Sequence, residues 1–119
     1  MLSFGDCRDA ADPSVIAVVA VIDGYPAGSV AVKTWADGDI SIARLFVDPA
    51  YRRHGIARQM MRRIFVLYPD AEAWLYAGPY IWEGEPGPGR GILESFYRAL
   101  GFVMTVDGDG NPAMVRKGY

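Results

Sequence analysis

The sequence predicts a mixed α/β sheet, in which antiparallel strands are followed by one strand that joins in parallel. Two runs rich in β-branched residues and alanine, 14–22 and 27–35, are separated by the turn-forming residues 23–26, so we expect a hairpin. A third apolar strand, Ile40–Val47, leads through a basic turn into a helical repeat, and the next strand, 72–77, follows that helix. A crossover through a helix favours parallel pairing of the two strands that it joins.

The strand Ile40–Val47 and the helix after it have clear boundaries in the sequence. Asp48-Pro49 ends the strand, because proline cannot continue a hydrogen-bonded ladder. Beyond residue 55, apolar side chains recur at three- and four-residue steps, as they do on one face of a helix. Tyr68-Pro69 ends this helix, since the residue before a proline disfavours the α conformation. The apolar face consists of Ile56, Met60, Ile64 and Leu67, flanked by Ala57, Met61 and Phe65.

Two segments lack a clear period. Residues 1–13 are either a frayed lead-in or a short edge strand at 2–4. Residues 78–91 combine glycines, prolines, two glutamates and two aromatic side chains, too irregular for a regular element and too aromatic for a simple linker. We therefore expect a loop with a functional role at 78–91.

The last part of the sequence predicts a short helix and a hairpin. Apolar residues at helical spacing run from 92 to 100, and Gly101 follows at the position where helices commonly end in a left-handed cap. Two short strands, 102–106 and 113–116, flank the turn-forming residues 107–111, which predicts an antiparallel pair.

Composition indicates one domain over residues 1–119, long enough to bury about two-thirds of its unfolded surface. The net charge of −2 and a pI near 5.2 argue against a general nucleic-acid or membrane-surface protein, which usually has a basic excess. A single cysteine, Cys7, excludes an intrachain disulfide and suits a reducing compartment. The sequence shows no signal peptide or membrane span, so we expect a soluble cytoplasmic protein. No cluster of histidine, cysteine and carboxylates has metal-ligand spacing, and no metal is predicted.

The basic turn before the first helix has the chemistry of an anion site. The first N–H groups of a helix lack intrahelical partners and lie at the positive end of its dipole. Gly55 allows the backbone to approach a phosphate closely, and Arg52, Arg53 and Arg58 add positive charge beside it. Neither the lysine-containing phosphate loop nor the glycine-rich dinucleotide fingerprint is present. Five of the ten arginines lie between residues 52 and 63, which indicates one anionic ligand or one solvated helix face.

Two motifs resemble those of the GNAT superfamily of N-acetyltransferases. The first motif begins with glutamine or arginine, followed by two variable residues, glycine, one variable residue, and glycine or alanine. It comes after a strand that ends in Val-x-Pro. Its counterpart is Arg52-Arg53-His54-Gly55-Ile56-Ala57, after Val47-Asp48-Pro49. The second is leucine or phenylalanine, tyrosine, two variable residues, and Leu-Gly-Phe, matched by residues 96–102. The resemblance covers about 14–116 and implies the GNAT acyl-CoA N-acyltransferase fold.

The resemblance implies roles for individual residues. Acetyl-CoA is the expected co-substrate, and the pantetheine arm is expected to pair with the strand backbone at Leu45 and Val47, as an added strand would. The hydroxyl of Tyr97 is the expected catalytic group, because it matches the tyrosine that protonates or hydrogen-bonds the leaving thiolate. The residues expected to bind the pyrophosphate are Arg52, Arg53, His54, Gly55, Ile56, Ala57 and Arg58.

The chain also departs from the family pattern. Family members normally place two helices between the first strand and the hairpin, where this chain has only about a dozen residues. Those helices help to wall the acceptor groove, so the loop 78–91 or a partner subunit has to replace them. Arg90 stands where an asparagine often contacts the cofactor, and Ser41 or Ile42 where many members carry a glutamate base. His54, the only histidine, is an alternative base.

An acceptor pocket lined by aromatic and acidic side chains would attract a cationic amine. The candidates come from the end of the strand 27–35, from the third and fourth main strands, and from the loop 78–91. These candidate substrate-binding residues are Trp35, Ser41, Tyr76, Tyr80, Trp82 and Glu83, with Glu85 beside them.

The sequence thus predicts an N-acetyltransferase that transfers an acetyl group from acetyl-CoA to a primary amine, by direct attack in a ternary complex. The acceptor is a small-molecule or protein amine. A GNAT-like protein that acts through CoA or protein binding is one alternative, and a nucleotide- or nucleic-acid-modifying member is another, although the acidic net charge argues against nucleic acid. The last hairpin is expected to be exposed, and the acceptor groove lacks the two helices that usually form one of its walls. The sequence is therefore compatible with a homodimer.

Overall fold

The computed structural model describes residues 1–51, 54–76, 81–82, 85–86 and 90–117, with the side chains of 81–82, 85–86 and 90–91 outside the description. Nine strands, two α-helices and one 3-10 turn at Pro49–Tyr51 occur in this part of the chain. In order, they are β1 (Leu2–Arg8), β2 (Val15–Ile22), β3 (Tyr25–Thr34), β4 (Ile40–Val47), α1 (Ile56–Leu67), β5 (Ala73–Leu75), β6 (Ile81–Trp82), β7 (Glu85–Pro86), α2 (Arg90–Ala99), β8 (Val103–Val106) and β9 (Pro112–Arg116).

Seven strands form one mixed sheet in the order β1-β2-β3-β4-β5-β9-β8. All neighbours are antiparallel except β4 and β5, which are parallel and are joined through α1. This confirms the predicted switch from antiparallel to parallel pairing after the third main strand. β6 and β7 form a separate two-stranded antiparallel sheet.

One face of the sheet is buried against the helices. Alternate residues of β2, β3 and β4 point toward α1, whose apolar side meets them, as the period of two in a strand and 3.6 in a helix requires. Gly28 makes this approach close, since a Cβ built at that position would lie 2.7 Å from the Phe46 carbonyl oxygen and 3.1 Å from Met60 Cε. The largest fully buried side chains are Val18, Val30, Val32, Ile40, Met60, Met61, Ile64, Phe102 and Met114.

The opposite face of the sheet is less covered. Val15, Ala17 and Val19 of β2, which alternate with fully buried residues, are only half-buried. Residues 9–14 alone connect β1 to β2, and residues 1–51 contain no α-helix. The two helices that GNAT proteins usually place in this part of the chain are therefore absent, as the sequence predicted.

Some expected boundaries change in the structure. β1 extends to Arg8 and pairs with β2 along its whole length. Leu2 and Phe4 pack against the core, whereas Ser3 and residues 5–8 are exposed. The segment 78–91, expected to be irregular, contains β6, β7 and the start of α2. Two-residue strands are too short to leave a periodic signal in a sequence. The described residues include no helix long and apolar enough to cross a membrane.

Candidate functional site

The start of α1 is the candidate anion site, because the first N–H groups of a helix have no intrahelical partner. Gly55 precedes the helix with φ 74° and ψ 14°, in the left-handed region that favours glycine. Among the residues that the structure describes, no side chain caps the helix start, and the first turn contains no acidic residue. A Cβ built on Gly55 would meet no atom within 4 Å, so the space in front of this turn is open. His54 and Arg58 are exposed beside it, whereas Ile56 is buried and anchors the turn to the core.

β4 connects this turn with the rest of the site. Its pairing with β5 is recorded at Ile40 and Ser41, although β4 continues to Val47. The register with β3 shifts by one residue at Arg44 and Leu45, and Arg44 has φ 57°. This is a β-bulge, which bends a strand and increases its local twist. The bulge therefore lies on the part of β4 that continues past its pairing with β5.

Tyr97 lies beneath this part of β4. It is 6% exposed, and its ring packs edge-on against Phe96 at 5.2 Å and against Phe102 at 5.7 Å, measured between ring centroids. A small cavity of about 50 Å³ opens between α2 and the bulged part of β4. Its walls are formed by Ile42, Ala43, Arg44, Leu45, Tyr76, Leu93 and Tyr97.

The end of α2 fixes the position of Tyr97. The N–H of Phe102 donates to the Tyr97 carbonyl at 3.1 Å, and the N–H of Gly101 donates to the Arg98 carbonyl at 3.0 Å. Gly101 has φ 99°, so this is a Schellman motif with the expected glycine. The contact between the rings of Tyr97 and Phe102 is the apolar contact that accompanies the motif. The Leu-Gly-Phe sequence thus has a structural reason: it ends the helix and holds the tyrosine.

A larger cavity of about 400 Å³ adjoins the small one beside the parallel pair β4 and β5. The two cavities share Ile42, Ala43 and Tyr76 as walls. Trp35 donates its indole N–H to Ser41 Oγ at 3.1 Å, which fixes one side of the larger cavity. The lining residues are Trp35, Asp37, Asp39, Ile40, Ser41, Ile42, Ala43, Trp74, Leu75 and Tyr76.

Tyr76 is held by an acidic turn at the other end of the sheet. Its hydroxyl donates to Asp107 Oδ2 at 2.6 Å. This bond raises the pKa of Tyr76 and, together with backbone N–H donors from Asn111 and Asp109, lowers the pKa of Asp107. The turn between β8 and β9 therefore positions a wall shared by both cavities.

Asp39 lies in a negative part of the larger cavity. Its pKa is raised first by burial and then by repulsion from Asp37 and Glu72, while Lys117 opposes the shift. Lys117 forms an ion pair with Glu72, and Lys33 with Asp12 at 3.7 Å. The ion pairs found among the described residues do not include Asp37 or Asp39.

Five of the sixteen residues predicted for the site line the two adjoining cavities. Trp35, Ser41 and Tyr76 line one cavity, and Tyr76, Leu45 and Tyr97 line the adjoining one. Val47 is half-buried at the end of β4. Four predicted residues lie outside the described part of the chain, and Trp82 is described by its backbone alone. The four are Arg52, Arg53, Tyr80 and Glu83.

Sequence reasoning missed Asp37, Asp39, Trp74 and Leu93 as walls. Trp74 could have been found from the alternation along β5, since it shares a face with Tyr76. Asp37 and Asp39 looked like ordinary turn residues, and their place beside a cavity depends on which strand neighbours β4. Nothing among the residues that the structure describes groups three or more potential metal ligands.

The parallel pair beside a bulged strand, the helix that starts at a glycine, and the tyrosine on α2 define an α/β protein with the acyl-CoA N-acyltransferase fold. A protein-family model described as the GNAT acetyltransferase domain matches residues 13–104 of the sequence. The chain therefore belongs to the GNAT acetyltransferase family, which supports a general acetyl-transfer role.

Comparison with solved structures gives the same fold. A proposed acyl-CoA N-acyltransferase from Klebsiella pneumoniae superposes with a TM-score of 0.77 at 14% identity, covering 100% of this chain and 99% of that one. The PaiA N-acetyltransferase of Thermoplasma acidophilum, in complex with coenzyme A, superposes with a TM-score of 0.67 at 19% identity. The match covers 87% of this chain and 61% of that one. An aminoglycoside 6′-N-acetyltransferase complexed with coenzyme A superposes with a TM-score of 0.66 at 15% identity. The match covers 92% of this chain and 76% of that one. No protein of curated function matches the sequence.

Proposed function

We propose that this protein is an N-acetyltransferase that uses acetyl-CoA and transfers the acetyl group to a primary amine by direct attack in a ternary complex. The observation that carries the proposal is the junction of the two cavities, where Tyr97 lies opposite the bulged part of β4 and next to an aromatic pocket. We also infer that residues 1–119 act as a single domain.

The start of α1 is the proposed site for the pyrophosphate. Open space in front of Gly55, backbone donors without a side-chain cap, and the absence of acidic residues in the first turn all suit an anion. Exposed His54 and Arg58 add donors and charge on this surface. In this proposal Arg52 and Arg53 contribute further charge, and Ile56 and Ala57 contribute backbone N–H groups.

The pantetheine arm is proposed to follow β4 from this turn toward Tyr97. The resemblance to other GNAT proteins assigns the contacts to the backbone at Leu45 and Val47. Leu45 also forms part of the small cavity, so a chain that passes this residue arrives beside Tyr97. The thioester would then lie between the small cavity and the larger one.

Acetyl transfer requires one bond to form and one to break. The amine nitrogen bonds to the acetyl carbonyl carbon, the carbon–sulfur bond breaks, and the sulfur leaves as a thiolate. Tyr97 is proposed to donate its hydroxyl proton to this thiolate, and the proton lost by the amine returns to the Tyr97 oxygen through water near Ser41. A positioned acid of this kind contributes about 100-fold to 10,000-fold in rate.

The test is acetyl-CoA-dependent thiol release with a panel of primary amines, using the Tyr97→Phe variant. We expect turnover to fall by about 100-fold, with the affinity for acetyl-CoA unchanged. Tyr68→Phe is a matched control, because Tyr68 also packs against the core but ends α1 on another part of the molecule. An unchanged rate in Tyr97→Phe would contradict the acid role, and binding without turnover on any amine would favour a CoA-binding protein.

A further inference from the structure

We infer that the acceptor is an elongated amine with a second cationic group, which binds beside Asp37 and Asp39 while the reacting amine reaches Tyr97. This inference rests on the proposed acetyl transfer and adds the class of acceptor. The larger cavity, at about 400 Å³, falls within the range of about 300–1,000 Å³ that holds small molecules.

The walls of the larger cavity suit an alkyl chain that ends in an ammonium group. Trp35, Trp74 and Tyr76 present aromatic surface, which packs against methylene groups and attracts cations through the ring faces. Lys33 Nζ already lies 4.5 Å from the centroid of the Trp35 ring, within the distance typical of a cation–π contact. One face of Trp35 is therefore already occupied by a cation of the protein, which leaves Trp74 and Tyr76 as the aromatic surface for a bound ammonium group.

The charge around the cavity has the sign that a cation needs. Asp37 and Asp39 both line it; Lys33 pairs with Asp12 and lies over Trp35, and Lys117 pairs with Glu72 and attracts Asp39. The four carboxylates outnumber the two lysines, so this region keeps a net negative charge. The carboxylate of Asp37 also accepts the Asp39 backbone N–H at 2.9 Å, so the turn holds the two residues together. The raised pKa of Asp39, caused by burial and two carboxylate neighbours, reflects a negative environment that a bound cation would relieve.

The distance between Tyr97 and the end of the larger cavity that carries Asp37 and Asp39, here called its acidic end, sets the length of the acceptor. Ala43, a wall of both cavities, follows Asp39 by four residues, which is about 13 Å along an extended strand. A molecule that contacts both ends must therefore be long. A terminal carboxylate on such a molecule would be repelled from the acidic end.

The test compares acceptors of equal length that differ only in the far group: diaminohexane, aminohexanol and aminohexanoate. Binding is followed by tryptophan fluorescence, with and without CoA, so the readout does not require catalysis. Acetyl transfer to the same compounds is measured in parallel. We expect the diamine to bind about threefold to fivefold more tightly than the amino alcohol, and aminohexanoate to bind weakest. Added salt should reduce the preference.

The combined Asp37→Asn and Asp39→Asn variant should lose the preference for the diamine and keep its affinity for the amino alcohol. Asp23→Asn is the control, since Asp23 lies in the β2–β3 turn and pairs with the amino terminus. Equal affinities of diamine and amino alcohol in the wild type, or no saturable diamine signal, would overturn the inference even if amines are acetylated. Selective diamine binding without acetylation of any amine would support the pocket and contradict the proposed transfer.

Discussion

Replacing Gly55 by alanine separates anion binding from folding. Gly55 has φ 74°, so an L-residue at this position is strained by about 1–2 kcal/mol. The added methyl group meets no protein atom within 4 Å. In the proposed site it stands where the pyrophosphate would approach the first helical N–H groups. The variant should therefore fold with slightly reduced stability and should lose contact between a phosphate and at least one backbone donor.

The size of the binding defect follows from the interaction that is lost. A hydrogen bond to a charged group contributes about 1.5–3 kcal/mol. Its loss corresponds to a dissociation constant that is larger by roughly 10-fold to 150-fold. Calorimetric titration with acetyl-CoA measures this change. Pantetheine, which lacks the pyrophosphate, should bind wild type and variant equally.

Gly24→Ala is the matched control. Gly24 has φ 88°, lies in the β2–β3 turn, and has the same open space around an added Cβ. Both variants should lose a similar free energy of unfolding, measured by denaturant titration, but only Gly55→Ala should lose acetyl-CoA affinity. Unchanged affinity in Gly55→Ala, or an equal loss in Gly24→Ala, would refute the assignment of the pyrophosphate to the start of α1.

Three further changes test how the fold supports the site. Gly28→Ala should destabilise the protein by about 1–3 kcal/mol, since its Cβ would lie 2.7 Å from a carbonyl oxygen, whereas Gly5→Ala meets no atom within 4 Å and should leave the denaturation midpoint nearly unchanged. Phe102→Ala should cost about 3–5 kcal/mol in denaturant unfolding and impair turnover, because Phe102 is buried against Tyr97; full activity would contradict its supporting role. The pKa of Asp107 is lowered from 3.8 in the folded state, so its contribution to stability is present above about pH 4 and is lost as pH falls through the lowered pKa. The difference in melting temperature between wild type and Asp107→Asn should accordingly vanish in strong acid, and a pH-independent difference would contradict this.

Much of the fold could be predicted because local patterns and topology agree. The bounds of β4 and α1 follow from proline after the strand, the helical period and Tyr68-Pro69. The parallel pairing of β5 follows from the crossover through α1. The place of β9 between β5 and β8 has no signal in the sequence, since a hairpin can join a sheet through either strand.

The site could be predicted only where one element carries it. The positions of Gly55 at the start of α1 and of Tyr97 at the Schellman end of α2 could be predicted, because each lies in a motif that shapes a helix end. Their roles toward acetyl-CoA stay predictions. The acidic end of the larger cavity could not be predicted, because Asp37 and Asp39 come together with Trp74 only through the pairing of β4 with β5. The β-bulge at Arg44 was also missed, since no glycine marks it.

The most direct test of the proposed function is mass spectrometry of a reaction that contains this protein, acetyl-CoA with a labelled acetyl group, and primary amines. We expect the label to appear on the amine in equal amount to the CoA released, and the Tyr97→Phe variant to form the product far more slowly. Release of CoA without acetylated amine, or no consumption of acetyl-CoA with any amine, would contradict the proposed function.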